Sequence, residues 1–302
     1  MKRTWSTLAA FALSMFSRSA HAQRPRSPVE SPMAQVWPAH RAWDAGEEQR
    51  FGQWVTTVGR AVAAHRCRTL AACLDDPAIN PLHTPGRRLR FRADCADVAY
   101  LLRAYYAWRR ALPFGFVGAV RWERDARGHA LTTRPVRTAR WDAFASPWQL
   151  LHELGGRVNS NWFRMRPEVG DGDWYPARVR PGDVRAGTAY YDPDGHVLVV
   201  YEVTDAGDVM LFDGHPGGSI TARPFGARIT PGSARVGGGF MNWRPISLRG
   251  NEIHRPTNAQ LGDWSATQYD RGARVVNGAA ASFDVWVRAR MRRAGRGGSG
   301  GG

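Results

Sequence analysis

Cys95 sits one residue after an aspartate, where a helical pattern begins, in the stretch RADCADVAYLLRAYYAWRRALPFGF over residues 92–116. A thiol there is helped toward thiolate by the free backbone N–H groups and the dipole of the first helical turn. A nucleophilic thiolate also needs a base to take its proton and a third group to orient that base. His196, in DGHVLVV, follows a turn glycine and opens an apolar run, a rigid mount for an imidazole. Further on, VMLFDGHP offers Asp213 and His215 as partners for the ring. A carboxylate is chemically the better orienter, because it also stabilises the imidazolium. Asp213 is therefore the first choice, with His215 as its rival. The catalytic set to look for is Cys95, His196, Asp213 and His215.

The elements that must position these groups can be read from periodicity. Phe51, Trp54, Val55, Val58 and Val62 recur at helical spacing over residues 43–64. The segment DDPAINPLHTPGRR then breaks the pattern with prolines and a glycine. The helix that begins at Cys95 is apolar on most sides through Val98, Leu101, Leu102, Tyr105 and Tyr106, so it should be buried. Pro113 should end it. Asp94 reads as its N-cap and Asp97 as a first-turn partner of the dipole. PGDVRAG reads as a turn, and GTAYYDPDGHVLVVYEVTDAGDVMLFDGHP as strands joined by DPDG and DAG hairpins. HVLVVYEV is too continuous for an edge strand and should lie inside a sheet. With Ala206 and Gly207 as a two-residue loop, Asp213 would face Val200 and His215 would face Leu198. Both would share the face of His196, because sheet sides alternate with period two.

Composition bounds the setting. The chain has 302 residues, 43% of them hydrophobic, enough for a sizeable core. Lys2 and Arg3 precede the apolar run LAAFALSMF, and Ala20 and Ala22 in SAHAQ have the small-residue spacing of a cleavage site. Residues 1–22 therefore read as a secretory signal peptide, and an exported protein, periplasmic or secreted, is expected. No segment approaches the run of about 20 apolar residues a stable membrane span needs. Removing Lys2, Arg3 and Arg18 with the signal peptide lowers the net charge from +16 to +13. Such a charge suits association with anionic envelope polymers. Nucleic acid is not expected as a partner, since the arginines are scattered and no nucleic-acid-binding module is recognisable. Of three cysteines, Cys67 and Cys73 could bridge a short loop in an oxidising compartment, or all three could be reduced.

Other features read as structural. Asp171 and Asp173 lack the rest of a calcium loop, and no Cys or His pair has zinc spacing. No metal or cofactor is expected. The 13 tryptophans belong mostly to a core, although some could stack on sugar faces. GHPGGSI lacks the lysine and helix of a phosphate loop and reads as a turn.

In this order, a cysteine at a helix start, a histidine on a strand and a polar residue on the next strand, the chain resembles the papain-like thiol hydrolases. DCADVAYLL, then PGDV and GHVLVVYE, resemble the Asp-Cys, Pro-Gly-Asp and Gly-His-Val motifs of the NlpC-type cell-wall peptidases. DCADVAYLLRAYYAWRRALPFGFVG with GHVLVVYEVTDAGDVMLFDGHP equally resembles the transglutaminase-like fold. The resemblance covers residues 90–120 and 181–216. It departs from those families in the position of His196, 101 residues after Cys95, and in ADVA where small residues usually follow the NlpC-type cysteine.

The resemblance implies an α+β fold with a papain-like, NlpC-type core, the cysteine helix packed on an antiparallel sheet, and an N-terminal helical extension. The expected organisation is a signal peptide over 1–22 and a leader with a helical region over 23–85. A catalytic domain follows over 86–248 with an insertion at about 120–180. A C-terminal segment over 249–302 would end in a disordered basic, glycine-rich tail, RARMRRAGRGGSGGG. The implied function is that of a thiol protease or amidase cleaving an amide bond in peptidoglycan peptides through a thioester. The alternatives are a transglutaminase-like protease or amide-exchange enzyme, and a non-catalytic envelope-binding protein.

Overall fold

A computed structural model describes residues 36–250 and 252–293. The expected signal peptide, the leader up to residue 35 and the chain from residue 294 lie outside the described residues. The structure is α+β and is built on one six-stranded sheet. Among the described residues no helix is long and apolar enough to cross a membrane.

Three helices open the described fold. Asp44 caps α1 (Ala45–Ala63) by accepting the Glu47 N–H, and the expected stripe from Phe51 to Val62 is buried. Thr69 caps the short α2 (Leu70–Asp75), and a Cys67–Cys73 disulfide closes the turn that leads into it. α3 (Cys95–Arg109) is buried from Ala96 to Ala107, as its all-round apolar sequence requires. Burial of side chains such as Leu101 and Leu102 stabilises the fold by roughly 1.5–3 kcal/mol each.

A long hairpin follows, β1 (Gly115–Arg124) and β2 (Ala130–Arg140), then α4 (Pro147–Arg157). The main sheet comprises β3 (Trp174–Pro176), β4 (Ala189–Asp192), β5 (His196–Val203), β6 (Val209–Gly214), β7 (Ile220–Pro224) and β8 (Gly239–Trp243), in the order β3-β8-β4-β5-β6-β7. Every neighbouring pair in it is antiparallel. β5 lies in the interior between β4 and β6. Within the stretch expected as an insertion, β3 is hydrogen-bonded to β8 of this sheet.

β5 shows how the two cores form. Val197, Val199 and Tyr201 join the larger core with α1 and α3. Leu198 and Val200, alternating with them, join a second core with Phe283, Trp286, Val287 and Met291 of α5 (Phe283–Met291). This corrects one expectation: residues 288–291, read as the start of a disordered tail, form the last turn of α5. The apolar stripe ending at Met291 outweighs the basic composition around it.

The β5–β6 register also differs from expectation. The loop is longer than two residues, with the Gly207 N–H donating to Thr204 O and the Thr204 N–H to Asp208 O. A bulge between Val200 and Glu202 shifts the pairing again, so that Val199 pairs with Phe212. One step further along this register, Asp213 falls opposite Leu198 instead of Val200. It is then two residues from His196 rather than four.

Candidate active site

The chain enters α3 through a capping box. The Asp94 carboxylate accepts the N–H groups of Ala96 and Asp97, and the Asp97 carboxylate accepts the N–H of Asp94. The Cys95 N–H is left without a protein acceptor among the described residues. Cys95 is the free cysteine, half-buried at the first position of the helix.

The sheet comes to this helix end at Gly214, the last residue of β6. A Cβ on Gly214 would lie 2.6 Å from Asp94 O and 2.8 Å from Ala93 O. Only a residue without a side chain allows the two backbones to close to that distance. This contact fixes the end of β6, and Asp213 with it, against the start of α3.

His196 begins β5 directly after the DPDG turn, in which the Gly195 N–H donates to Asp192 O at 2.9 Å. Its Nε2 is hydrogen-bonded to Asp213 Oδ2. Nδ1 is then the ring nitrogen available to the thiol. The bond to Asp213 first, and the interaction with Cys95 second, outweigh desolvation and raise the His196 pKa to about 9. Its side chain is 32% exposed, so the ring is reachable from solvent, whereas that of Asp213 is 1% exposed.

Burial alone would push the Asp213 carboxyl up. Its bonds to His196 and Thr221 and the nearby Arg223 guanidinium reverse that, and the net shift is downward. Thr221 donates to Asp213 Oδ1 at 3.0 Å, and Arg223 Nη2 lies 3.4 Å from Oδ2. The carboxylate is thus held ionised beside an imidazole.

Cys95, His196 and Asp213 are therefore brought together, as the sequence reading expected. His215, the rival for the third position, does not bond His196. Its Nε2 meets Thr221 Oγ1 at 2.9 Å. Asp173, read in the sequence as lacking the rest of a calcium loop, is buried and accepts from Tyr100, the Val117 N–H and Arg255.

Three neighbours of the site escaped the sequence reading. Thr221 and Arg223 alternate on β7, where Asp213 pairs with Thr221 and Leu211 with Arg223. Taking GHPGGSI as the turn of a tight hairpin would have placed Thr221 opposite Asp213. Tyr191 pairs with Val197 beside His196. Its pKa is raised chiefly by burial, and its hydroxyl accepts from Arg164 Nη1 at 3.5 Å. The DPDG hairpin, paired from Asp192 and His196 outward, puts Tyr191 opposite Val197.

Compared with known proteins, the chain matches no family model, no curated protein and no solved structure.

Proposed function

We propose that this chain is an exported cysteine hydrolase with a papain-like core that cleaves an amide bond, in peptidoglycan peptides. The observation that carries the proposal is the His196 imidazole, bonded to the buried Asp213 carboxylate and interacting with Cys95 at the start of α3. Nucleophile, base and orienting acid come from three separate elements, as a thiol hydrolase requires. Export rests on the signal-peptide pattern over residues 1–22.

In this mechanism the His196 imidazolium already holds the proton given up by Cys95, and the sulfur attacks the amide carbonyl carbon. The oxygen becomes an oxyanion facing the unengaged Cys95 N–H. The imidazolium gives its proton to the leaving amine as the C–N bond breaks, leaving a thioester on Cys95. Water then attacks the thioester, His196 takes the water proton, and the carboxylic acid departs as the thiol is restored. Asp213 keeps the ring in the tautomer that presents Nδ1 and stabilises its charged form.

Two measurements test this. Iodoacetamide at neutral pH should alkylate Cys95 in the folded protein, read by mass spectrometry, and His196→Ala should slow that reaction strongly. Incubation with purified peptidoglycan should release new amines, and Cys95→Ala should abolish the release. An unreactive Cys95 would favour a binding protein of the same fold. Amide exchange without net hydrolysis would favour a transglutaminase-like enzyme.

A further inference from the structure

The residues leading into Cys95 have a use the mechanism leaves open. Over residues 86–92 the sequence is GRRLRFR. Gly86 and Arg87 are exposed, and from Arg88 the burial alternates with period two: Arg88, Arg90 and Arg92 are exposed, Leu89 is buried and Phe91 is half-buried. Gly86 sits in a turn, and residues 87–92 run along the surface outside every helix and strand; the alternation from Arg88 to Arg92 is that of an extended segment. Of its backbone N–H groups from 87 to 92, that of Leu89 is bonded, to the Asp75 carboxylate. The other five have no partner among the described residues.

The arginines are equally unengaged. Among the described residues none of Arg87, Arg88, Arg90 and Arg92 forms an ion pair, although Arg88 acts on Asp75. Arg87 is held instead with its guanidinium 4.1 Å from the centre of the Trp148 ring. On an extended face, successive arginines two residues apart stand about 6.5–7 Å from each other. Carboxylates on alternate residues of an extended peptide have the same repeat.

Two cavities line this face. One of about 530 Å³ runs from Gly86 to Phe91 against Trp148 and His152. The next, of about 540 Å³, is formed by Arg90, Phe91, Arg92, His152, Gly155 and Gly156. They share Arg90, Phe91 and His152, so they make one groove, ending at Arg92, three residues before Cys95. Its floor is the Gly155–Gly156 pair in the last turn of α4. Glycine costs a helix about 1 kcal/mol relative to alanine. Gly155 packs closely there: a Cβ would lie 3.1 Å from Arg92 O. At Gly156 a Cβ would meet nothing within 4 Å. A side chain at 156 would reach into the groove.

We infer that residues 86–92 are a docking edge for an extended acidic peptide, whose carboxylates pair with Arg88, Arg90 and Arg92 and whose backbone bonds the free N–H groups. The bare backbone edge favours a peptide over a phosphate polymer, which offers no strand to pair. This deepens the hydrolase reading by giving its substrate a chemical class, and it rests on that reading for what happens after binding.

The test uses the Cys95→Ala protein, so that binding is measured without turnover. Fluorescence polarisation with a labelled peptide of alternating Ala and Glu should show saturable binding that weakens with salt. The matching Ala–Gln peptide should bind at least about tenfold more weakly. Each of Arg88→Gln, Arg90→Gln and Arg92→Gln should weaken binding about two- to fivefold, as expected of exposed charge pairs. Gly156→Trp should block binding while the arginines remain, with folding of each variant checked by its melting curve. Equal binding of the two peptides, or no effect of the arginine and Gly156 variants, would overturn the inference. So would binding of inorganic polyphosphate but not of the acidic peptide. Acidic-peptide binding in a protein whose Cys95 ignores iodoacetamide would leave the groove standing and remove the hydrolase. A reactive Cys95 with no acidic-peptide binding would do the reverse.

Discussion

The ring of His215 lies beside that of His196, centroids 6.3 Å apart and planes inclined by 20°, and the two are linked through Thr221 and Asp213. Thr221 donates to Asp213, so the His215 Nε2 must carry the proton it shares with Thr221 Oγ1. His215 supports the carboxylate at one remove, while Asp213 bonds the imidazole itself.

The two residues should therefore differ sharply on substitution. Asp213→Asn should lower kcat/KM on peptidoglycan peptides by on the order of 10²-fold or more, because the ring loses its orienting charge. His215→Ala removes one hydrogen bond to a supporting hydroxyl and should cost about two- to tenfold. Steady-state kinetics of the two variants checks this. A larger loss at His215 would restore it as the orienting residue.

The raised pKa of His196 sets an alkaline limit. Its folded value of about 9 lies above the usual 6.5, so the imidazolium and its pair with Asp213 persist through neutral pH. The stability this pair contributes is complete below pH about 6.5 and is lost as pH rises through about 9. A pH–rate profile should fall on its alkaline side near pH 9. The melting temperature should drop over pH 7–10 in the native protein and less in His196→Gln.

Asp97 has the opposite linkage. Desolvation first, and Asp94 after it, push its carboxyl up to about 7, and its Oδ1 is buried without a partner. The folded state therefore holds a proton that the unfolded chain releases near pH 4. Stability falls as pH rises from about 4 to about 7 and stays lower above that. At about 1.4 kcal/mol per pKa unit, the loss is on the order of 2–4 kcal/mol. Asp97→Asn keeps an oxygen for the Asp94 N–H and removes the charge. It should raise the melting temperature at pH 8, with the gain shrinking toward pH 4 in a denaturation series.

Gly214 offers a geometric test. In Gly214→Ala the new Cβ would meet Ala93 O and Asp94 O at under 3 Å, forcing β6 away from α3. Overpacking of this kind costs typically about 1–3 kcal/mol. Because the shift lies between Asp213 and Cys95, the alkylation rate of Cys95 should fall as well. A core variant of equal destabilisation far from the site, such as Val287→Ala, should leave that rate unchanged.

What could be read in advance divides by range of interaction. α3, its Asp94 cap, the interior position of β5 and the DPDG turn all follow from spacing within a few residues. The Cys95–His196–Asp213 grouping was legible too, because each residue sits at a recognisable element start or end. The β5–β6 register was not, since a bulge at Val200–Glu202 leaves no mark in the alternation of apolar residues. The pairing of β3 with β8 joins Trp174 to Trp243, a choice made by long-range packing. α5 was hidden because the arginines from 288 on mask a four-residue apolar stripe. Its burial is decided by the second face of a sheet that local pattern does not reveal.

The Cys67–Cys73 bridge bears on how the protein meets oxidative stress. These are the other two of the chain's three cysteines, and each has consumed the other. Peroxide that converts Cys95 to a sulfenic acid therefore finds no resolving thiol in the same molecule, and the damage cannot be parked as an internal disulfide. Recovery of Cys95 would depend on a small thiol or a reductase arriving from outside.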